Sequence, residues 1–325
     1  MQNTMTKGYV VYDQHDEASE GLGSHSRGIL FPLLHIAIVN GLQPLLEHKT
    51  YCCTGRNYSQ LDLNNAFLGG SIDDVPAPQS VPHLQECRID VWTDPVLGSA
   101  CGDAKLLANL IRDHLSSKTS ERKQEAITVL RLTGHFRYMD PSPEVYQWLR
   151  DRSFQWKQAR SNAQSSRLRI AGHIRVPEEF CPLFWKEENS VDKLIEALDF
   201  LQSNGLNLDE GCDIELFTEK TFSTKMELLL HERYKQITIF RGTDETVLHD
   251  LQSLATADIM IPAASFLSAL AGYLSHGLII LPHRSRDRYF QAHSELGSQI
   301  IKTWEWNEDY RRQLTCFSER ILASS

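Results

Sequence analysis

The sequence predicts an α/β fold of two Rossmann-like domains with a cleft between them, on the strength of three observations. Residues 168–282 alternate between short apolar segments and amphipathic segments. Residues 9–159 repeat this pattern more loosely, and the small, polar segment 159–167 separates the two halves. Alternating strands and helices form parallel sheets covered by helices on both faces. We expect an N-terminal domain at 1–166, a C-terminal domain at 167–290 and a helical tail at 291–325.

The elements of the C-terminal half are the clearest. Its first helix begins at Ser190, a favourable N-cap, and ends before Gly205, with Leu194 and Leu198 at helical spacing between them. Apolar, β-branched segments alternate with this helix and the helices after it. The predicted strands are 168–176, 212–219, 236–240, 258–263 and 278–282, and the later helices are 223–234, 244–257 and 265–277.

The N-terminal half shows the same alternation with longer interruptions. Residues 64–82 are rich in Asn, Gly, Ser, Asp and Pro, so they predict a loop. Pro143 suits the first turn of the last helix in this half. The predicted strands are 9–13 and 127–132, and the predicted helices are 26–41, 104–115 and 142–159, with a further buried strand directly after the first helix.

The overall charge argues against one class of function, and the cysteines argue against two kinds of structural site. The net charge of −9 over 325 residues argues against a general nucleic-acid-binding protein, which needs a basic surface. The seven cysteines contain no Cys-x-x-Cys and are odd in number, so we expect reduced thiols rather than a zinc site or a disulfide framework.

Two uncharged segments are long enough to be considered as membrane spans. Residues 28–46 and 259–283 lack Asp, Glu, Lys and Arg, but prolines, glycines and polar side chains interrupt both. Such interruptions are typical of buried strand–helix–strand units. The N-terminus has no signal-peptide pattern. We therefore expect a soluble, cytoplasmic protein without a membrane span.

The segment EGLGSHSR, residues 20–27, follows the first predicted strand and opens the first helix. Gly21 and Gly23 allow a ligand to approach the backbone, and a helix N-terminus attracts anions. Ser26 replaces the third glycine of the dinucleotide fingerprint, and no acidic residue ends a clear second strand about 20 residues further on. A tight β–α turn without a ligand remains an open alternative for this loop.

Two further segments place polar residues at the carboxyl ends of predicted strands, where doubly wound sheets bind ligands. In GHIRVPEE, residues 172–179, His173 and Arg175 are two apart and therefore face the same side of the strand. Arg175 can bind a diphosphate through two hydrogen bonds, or form a surface salt bridge. Ser265 and Phe266 stand at a strand-to-helix junction, where Ser265 is either a simple N-cap or a phosphate ligand.

Taken together, these segments resemble the fucosyltransferase-like enzymes of the GT-B class, which include α-1,2- and α-1,6-fucosyltransferases and protein O-fucosyltransferases. The glycine-rich loop, the His-x-Arg segment, LFTE at 216–219 and ADIMIPAASFLSALAGYLS at 257–275 occur in the family's order and spacing, over most of the chain. The chain departs from the family pattern after Arg175 and before Ser265. Val176, Pro177, Glu178 and Ala264 stand where the family has Arg, Gly, Asp and Ser.

The resemblance implies an inverting, metal-independent glycosyltransferase that uses a nucleotide-diphosphate sugar, GDP-fucose first, and needs no cofactor. Its acceptor would be a glycan, a peptide or a small molecule. Catalytic roles fall to Arg175, which would stabilise the departing diphosphate, and to Glu20, which would act as general base. Donor-binding roles fall to His173, Asp258, Ser265, Phe266, Gly21 and Gly23.

The sequence also bears on metal use and on other functions. No two aspartates stand two apart, so the Asp-x-Asp of metal-dependent glycosyltransferases is absent. Two alternatives stay open at this point. The first is a Rossmann-type NAD(P)-dependent or nucleotide-sugar-modifying enzyme that uses the glycine loop. The second is a non-catalytic protein that binds a sugar nucleotide or a glycan.

Overall fold

The structure is a computed structural model and describes residues 8–13, 22, 26–47, 51–53, 56–58, 63–69, 72–75, 84–90, 103–119, 127–133, 139–161, 167–175, 190–219, 222–242 and 246–324. The chain divides into two compact units, Met1–Trp148 and Leu149–Ser325. Each unit contains its own parallel sheet with intervening helices, which confirms the predicted α/β class. The domain limits at 1–166, 167–290 and 291–325 stay predictions.

The first unit is built on a four-stranded parallel sheet. The described strands of the unit are β1 (Gly8–Tyr12), β2 (Gln43–Leu46), β3 (Tyr51–Cys53), β4 (Arg56–Tyr58), β5 (Leu84–Asp90) and β6 (Ile127–Thr133). The sheet has the order β2-β1-β6-β5, and β3 and β4 form a separate antiparallel pair. Because β1 lies inside the sheet, Val10 and Val11 are fully buried, as an apolar strand with two neighbours requires.

Helices connect these strands. A π-helical turn, Ser26–Leu30, leads into α1 (Phe31–Asn40), which is followed by α2 (Ala104–Thr119) and α3 (Pro143–Ser161). Gly41 ends α1 with a φ of 64°, a left-handed conformation that costs glycine little. The helix predictions for this half are confirmed in position, and α3 continues into the second unit.

The loop predicted at 64–82 is wrong for its described part. Asn64–Leu68 is a π-helical turn and Ile72–Asp74 a 3₁₀ turn. The Asn64 amide accepts a hydrogen bond from the backbone N–H of Leu46 at 2.6 Å and donates to the backbone oxygen of Leu46 at 2.7 Å. Asn64 thus gives the backbone of Leu46, on the edge strand β2, the hydrogen bonds that a neighbouring strand would give it. This residue, one of the polar residues that suggested a loop, is a buried cap of the sheet edge.

The second unit is built on a six-stranded parallel sheet. Its strands are β7 (Leu168–Ile174), β8 (Cys212–Glu219), β9 (Ile237–Gly242), β10 (Ile259–Ile261), β11 (Leu278–Leu281) and β12 (Ile300–Lys302). The sheet has the order β12-β11-β10-β7-β8-β9. Strand order reverses beside β7, which is where open α/β sheets bind their ligands.

The helices of the second unit follow the strands as predicted. They are α4 (Ser190–Ser203), α5 (Thr224–Arg233), α6 (Val247–Thr256), α7 (Phe266–Leu274), α8 (Asp287–Glu295) and α9 (Glu308–Ser324). One core packs Leu168, Ile170 and Ile174 of β7 against Leu194 and Leu198 of α4. Residues on the opposite side of β7 face α6 and α7 and carry the polar chemistry described below.

The prediction of continuous helix at the C-terminus is wrong. Strand β12 lies between α8 and α9 and pairs in parallel with β11, with Ile280 opposite Ile301. The segment SQIIK is too short to show a strand period, and its isoleucines are as compatible with a helix as with a strand. Leu314 and Phe317 of α9 pack into the same core as β7, so the tail is part of this unit.

The described residues bear on two of the broader expectations. In the described parts of the chain, Cys87, Cys212 and Cys316 form no disulfide bond. None of the helices described has both the length and the apolar character needed to cross a bilayer.

Candidate functional site

The candidate site lies at the carboxyl end of the second unit's sheet. Three neighbouring strands, β7, β10 and β11, end there, and the segments after them carry Arg175, Ser265 and Arg286. Since β10 lies between the other two strands, Ser265 is flanked by an arginine-bearing segment on each side. Sequence reasoning found Arg175 and Ser265. It missed Arg286, because the placement of β11 beside β10 is not visible in a single sequence.

The alternation of β7 decides which side chains enter the site. A methyl group on Gly172 would meet Leu216 and Leu194 at 2.7 and 2.8 Å, so this residue faces α4. His173, the next residue, therefore faces the opposite side, where α7 begins. Arg175 follows two residues later, directly after the strand, and is half-buried. The common side of His173 and Arg175 stays a prediction, because Arg175 lies beyond the last residue of the strand.

His173 is held by the first turn of α7. Its Nδ1 lies 2.7 Å from the Ser268 hydroxyl and 3.4 Å from the Ser265 hydroxyl. The backbone N–H of Ala263 donates to the Ser268 hydroxyl oxygen at 3.0 Å. Ser265 is the N-cap of α7 and accepts from the backbone N–H of Ser268 at 3.1 Å. The N-cap predicted at Ser265 is present, and it is joined to His173 in one hydrogen-bonded cluster.

The surroundings keep His173 uncharged. Its side chain is buried, with only 7% of the residue exposed, and Arg286 is 1% exposed. Burial, and after it the positive charges of Arg175 and Arg286, lower the pKa of His173 to about 3. At neutral pH the ring is therefore a neutral hydrogen-bonding group close enough to two arginines to feel their charges.

The first turns of α7 and α8 pack together beside this cluster. The rings of Phe266 and Tyr289 meet edge to face, with centroids 5.2 Å apart. Arg286 immediately precedes α8, and His293 of α8 lies within 2.9 Å of the backbone oxygen of Ala269 in α7. The position of Arg286 is thus fixed by the packing of two helices.

A second group of side chains lies at the carboxyl end of β8 and β9. The rings of Phe217 and Phe240 are stacked with centroids 5.1 Å apart, and the His249 ring lies near both. Asp250, in the first turn of α6, would be only 2.6 Å from a methyl group on Gly242. Burial raises the pKa of the Asp250 carboxyl to about 6. Sequence reasoning missed Asp250, because an acidic residue in a first helical turn is common and its burial is not visible in a sequence.

Asp258 does not join these residues. It precedes β10, and its carboxylate accepts from the backbone N–H of Arg169 at 3.0 Å and pairs with Lys157 at 3.4 Å. Arg169 lies four residues before His173 on β7, or about 13 Å along the strand at 3.3 Å per residue. The structure therefore places Asp258 toward the amino end of the sheet, beside the ion pair of Arg169 and Glu215.

The remaining predicted residues, Glu20, Gly21 and Gly23, lie outside the described residues. Of the residues predicted for the site, the structure brings together His173, Arg175, Ser265 and Phe266 and leaves Asp258 apart. In the described parts of the chain, no group of three or more His, Cys, Asp or Glu side chains is arranged to hold a metal ion.

This arrangement can bind a phosphorylated anion. Two arginines supply positive charge, the N-terminus of α7 adds the favourable end of its dipole, and a neutral histidine and a serine hydroxyl supply hydrogen bonds. Such donors are fixed before the ligand arrives, because burial and helix packing hold them.

Comparison with solved structures finds fucosyltransferases. The structure is similar to NodZ α-1,6-fucosyltransferase soaked with GDP-fucose, at 15% identity and a TM-score of 0.44 over 82% of this chain and 93% of that one. It is similar to POFUT1 in complex with GDP-fucose, at 10% identity and a TM-score of 0.48 over 84% and 95%. A further similar structure is fucosyltransferase NodZ from Bradyrhizobium, at 17% identity and a TM-score of 0.41 over 83% and 94%.

At these identities the similarities describe the path of the backbone and assign no role to a side chain of this chain. No protein-family model matches the sequence. No curated protein matches it either.

The neutral state of His173 predicts a pH dependence of stability. Its folded pKa of about 3 lies below an unfolded value of about 6.5, so its contribution is complete above pH 6.5 and is lost as the pH falls toward 3. Between pH 7 and pH 5 the native protein should lose about 2 kcal/mol of unfolding free energy through this group. His173→Asn should lack that loss, as measured by urea unfolding at both pH values.

The matched control is His231→Asn, which changes an exposed histidine on α5. This variant should follow the pH dependence of the native protein. A His173→Asn variant with the native dependence would show that folding does not lower the pKa of this ring and would contradict the electrostatic description of the site.

Proposed function

We propose that this chain is a GT-B glycosyltransferase that transfers a sugar from a nucleotide-diphosphate donor, with GDP-fucose as the first candidate. The observation that carries the proposal is the meeting of Arg175, Arg286 and the Ser265-capped end of α7 around a neutral His173. The resemblance of the sequence motifs to fucosyltransferase-like enzymes supports the choice of reaction. The acceptor is proposed to be a glycan, a peptide or a small molecule.

The proposed chemistry is a single displacement with inversion at the anomeric carbon. The acceptor oxygen forms a bond to that carbon while the bond to the diphosphate oxygen breaks, and the electron pair leaves with the nucleoside diphosphate. Negative charge therefore develops on the diphosphate. Arg175 and Arg286 would stabilise this charge, and the neutral His173 would donate a hydrogen bond to it.

No metal ion is needed for this role in the proposal. Metal-dependent enzymes of the other common glycosyltransferase scaffold hold the ion with Asp-x-Asp, and the sequence contains no such pair. The two arginines can supply the charge that a divalent cation would otherwise bring to the leaving group.

Asp250 supports guanine as the base of the donor. A carboxylate accepts two parallel hydrogen bonds, and guanine offers two neighbouring donors, its ring N–H and its amino group. Adenine, cytosine and uracil each place an acceptor beside their donor. Phe217 lies on β8, next to β7, and Phe240 lies on β9 beyond it, while Asp250 lies in the first turn of the helix that follows β9. A base bound there would extend from a diphosphate at Arg175.

The first test is a thermal-shift panel with GDP, UDP, CDP, ADP and NAD, each with EDTA and with Mg²⁺. We expect GDP to raise the unfolding midpoint by mass action, equally in EDTA and in Mg²⁺. Arg175→Ala should lose that shift and lower sugar transfer by about 10²-fold or more, because it removes charge from the leaving-group site.

Arg311→Ala is the control, since Arg311 is an exposed residue of α9 that pairs with Glu308. It should retain the GDP shift. A shift with UDP instead would change the donor, and a shift with NAD would favour the dinucleotide enzyme. Native GDP binding in Arg175→Ala would overturn the proposed site.

Asp250→Asn tests the proposed recognition of the guanine base. The amide would present a donor to guanine's donors, so we expect GDP affinity to fall about tenfold while UDP affinity stays unchanged. The measurement is calorimetric titration with both nucleotides. Asp199→Asn, which alters a carboxylate bonded to Arg233 on the α4–α5 side, is the control. Equal losses for GDP and UDP would remove Asp250 from base recognition.

Glu20→Gln tests the proposed general base. Without a carboxylate to take the acceptor proton, turnover should fall by about 10²–10⁴-fold while GDP affinity is retained. The measurement is GDP release from GDP-fucose with water as the acceptor. Glu17→Gln, three residues earlier, should behave as the native protein. Unchanged turnover in Glu20→Gln would exclude this residue from the mechanism.

A further inference from the structure

We propose that Ser268 is a positioning residue that fixes His173 in the tautomer with hydrogen on Nε2, so that Nε2–H donates to the diphosphate of the donor. The inference rests on the function proposed above and adds to it a residue that contacts no substrate. Ser268 belongs to the first turn of α7 and is fully buried.

The hydrogen bonds of the Ser268 hydroxyl leave one place for its proton. The oxygen already accepts from the backbone N–H of Ala263, at 3.0 Å. Its other hydrogen-bond contact in the described part of the chain is Nδ1 of His173, at 2.7 Å. A buried hydroxyl needs an acceptor for its proton, so Ser268 donates to Nδ1. Nδ1 is then the acceptor of the ring, and the ring hydrogen resides on Nε2.

The second hydroxyl near the ring does not compete for this role. Ser265 lies farther from Nδ1, at 3.4 Å, and its oxygen accepts from the backbone N–H of Ser268. Nδ1 has a single lone pair in the ring plane, and the shorter contact takes it. Ser268, in the first turn of α7, thus connects Ala263 after β10 with the His173 ring on β7.

The charges around the ring keep this tautomer from being replaced by the doubly protonated form. Burial, Arg175 and Arg286 disfavour the imidazolium, while the hydroxyls of Ser265 and Ser268 carry no charge. Within the described residues, all hydrogen bonds of His173 pass through Nδ1. Nε2–H is therefore the group of this ring that remains for a ligand, and a phosphate oxygen accepts it well.

The proton position is measured directly by long-range ¹H–¹⁵N NMR of histidine-labelled protein, with His173→Asn identifying the signals of this ring. The native protein should show hydrogen on Nε2 from pH 5 to pH 8. Ser268→Ala should move the ring toward the Nδ1–H tautomer. Ser268→Thr keeps the hydroxyl and should restore the native signals. If Ser268→Ala does not fold, Ser268→Cys, whose thiol is a weak donor, should give a mixture of tautomers.

Ser275→Ala is the matched control for the loss of a buried serine. Ser275 follows α7, is 1% exposed, and accepts a backbone N–H from Gly277 as Ser268 accepts from Ala263. It has no contact with His173 among the hydrogen bonds of the described residues, so its removal should leave the tautomer native.

Binding of GDP supplies the second measurement. Ser268→Ala should bind GDP about tenfold more weakly than the native protein, and Ser268→Thr within about twofold. Hydrogen on Nδ1 in the native protein, or native signals and affinity in Ser268→Ala, would overturn the inference. Absence of GDP binding by the native protein would overturn the proposed function and the diphosphate contact. The NMR comparison decides the tautomer in either case.

Discussion

The complete burial of β7 is the constraint on which the second unit depends. Every residue from Leu168 to Ile174 is buried, so each polar side chain on this strand must find a partner inside the protein. Arg169 does so near the amino end, where it donates to Glu215 at 2.8 Å and to the backbone oxygen of Ser253 at 3.1 Å. His173 does so at the carboxyl end, through hydroxyls of α7. One face of one strand thus holds a structural ion pair and the centre of the candidate site.

The site accumulates positive charge only because its histidine remains neutral. Two arginines beside a buried imidazolium would place three cations in one poorly solvated region, which costs more than hydrogen bonding recovers. A neutral ring supplies a directed donor without adding charge. The same burial that creates the donor makes the protein sensitive to acid, since unfolding exposes a ring that takes up a proton readily. In the proposed function, stability and ligand binding therefore depend on the same protonation state.

The sequence predicted those parts of the site that depend on local periodicity. The two-residue spacing of His173 and Arg175 and the N-cap at Ser265 follow from strand and helix geometry. It did not reveal Arg286, whose approach requires β11 to lie beside β10. It misplaced Asp258, because a residue at the start of a three-residue strand lies at the wrong end of the sheet. Strand order and strand length are set by tertiary packing, which one sequence does not display.

In the proposed function, the recognition of charge is separate from the recognition of the base. Arg175 and Arg286 would bind any nucleoside diphosphate, since a guanidinium contacts phosphate oxygens and not the base. Discrimination then has to come from the end of β8 and β9, where Asp250 is a buried acidic group. The departures from the family pattern at Val176 to Glu178 follow Arg175 directly in the sequence and change neither Arg175 nor Asp250. A change of sugar can therefore arise beside Arg175 while the diphosphate site and the base site remain as they are.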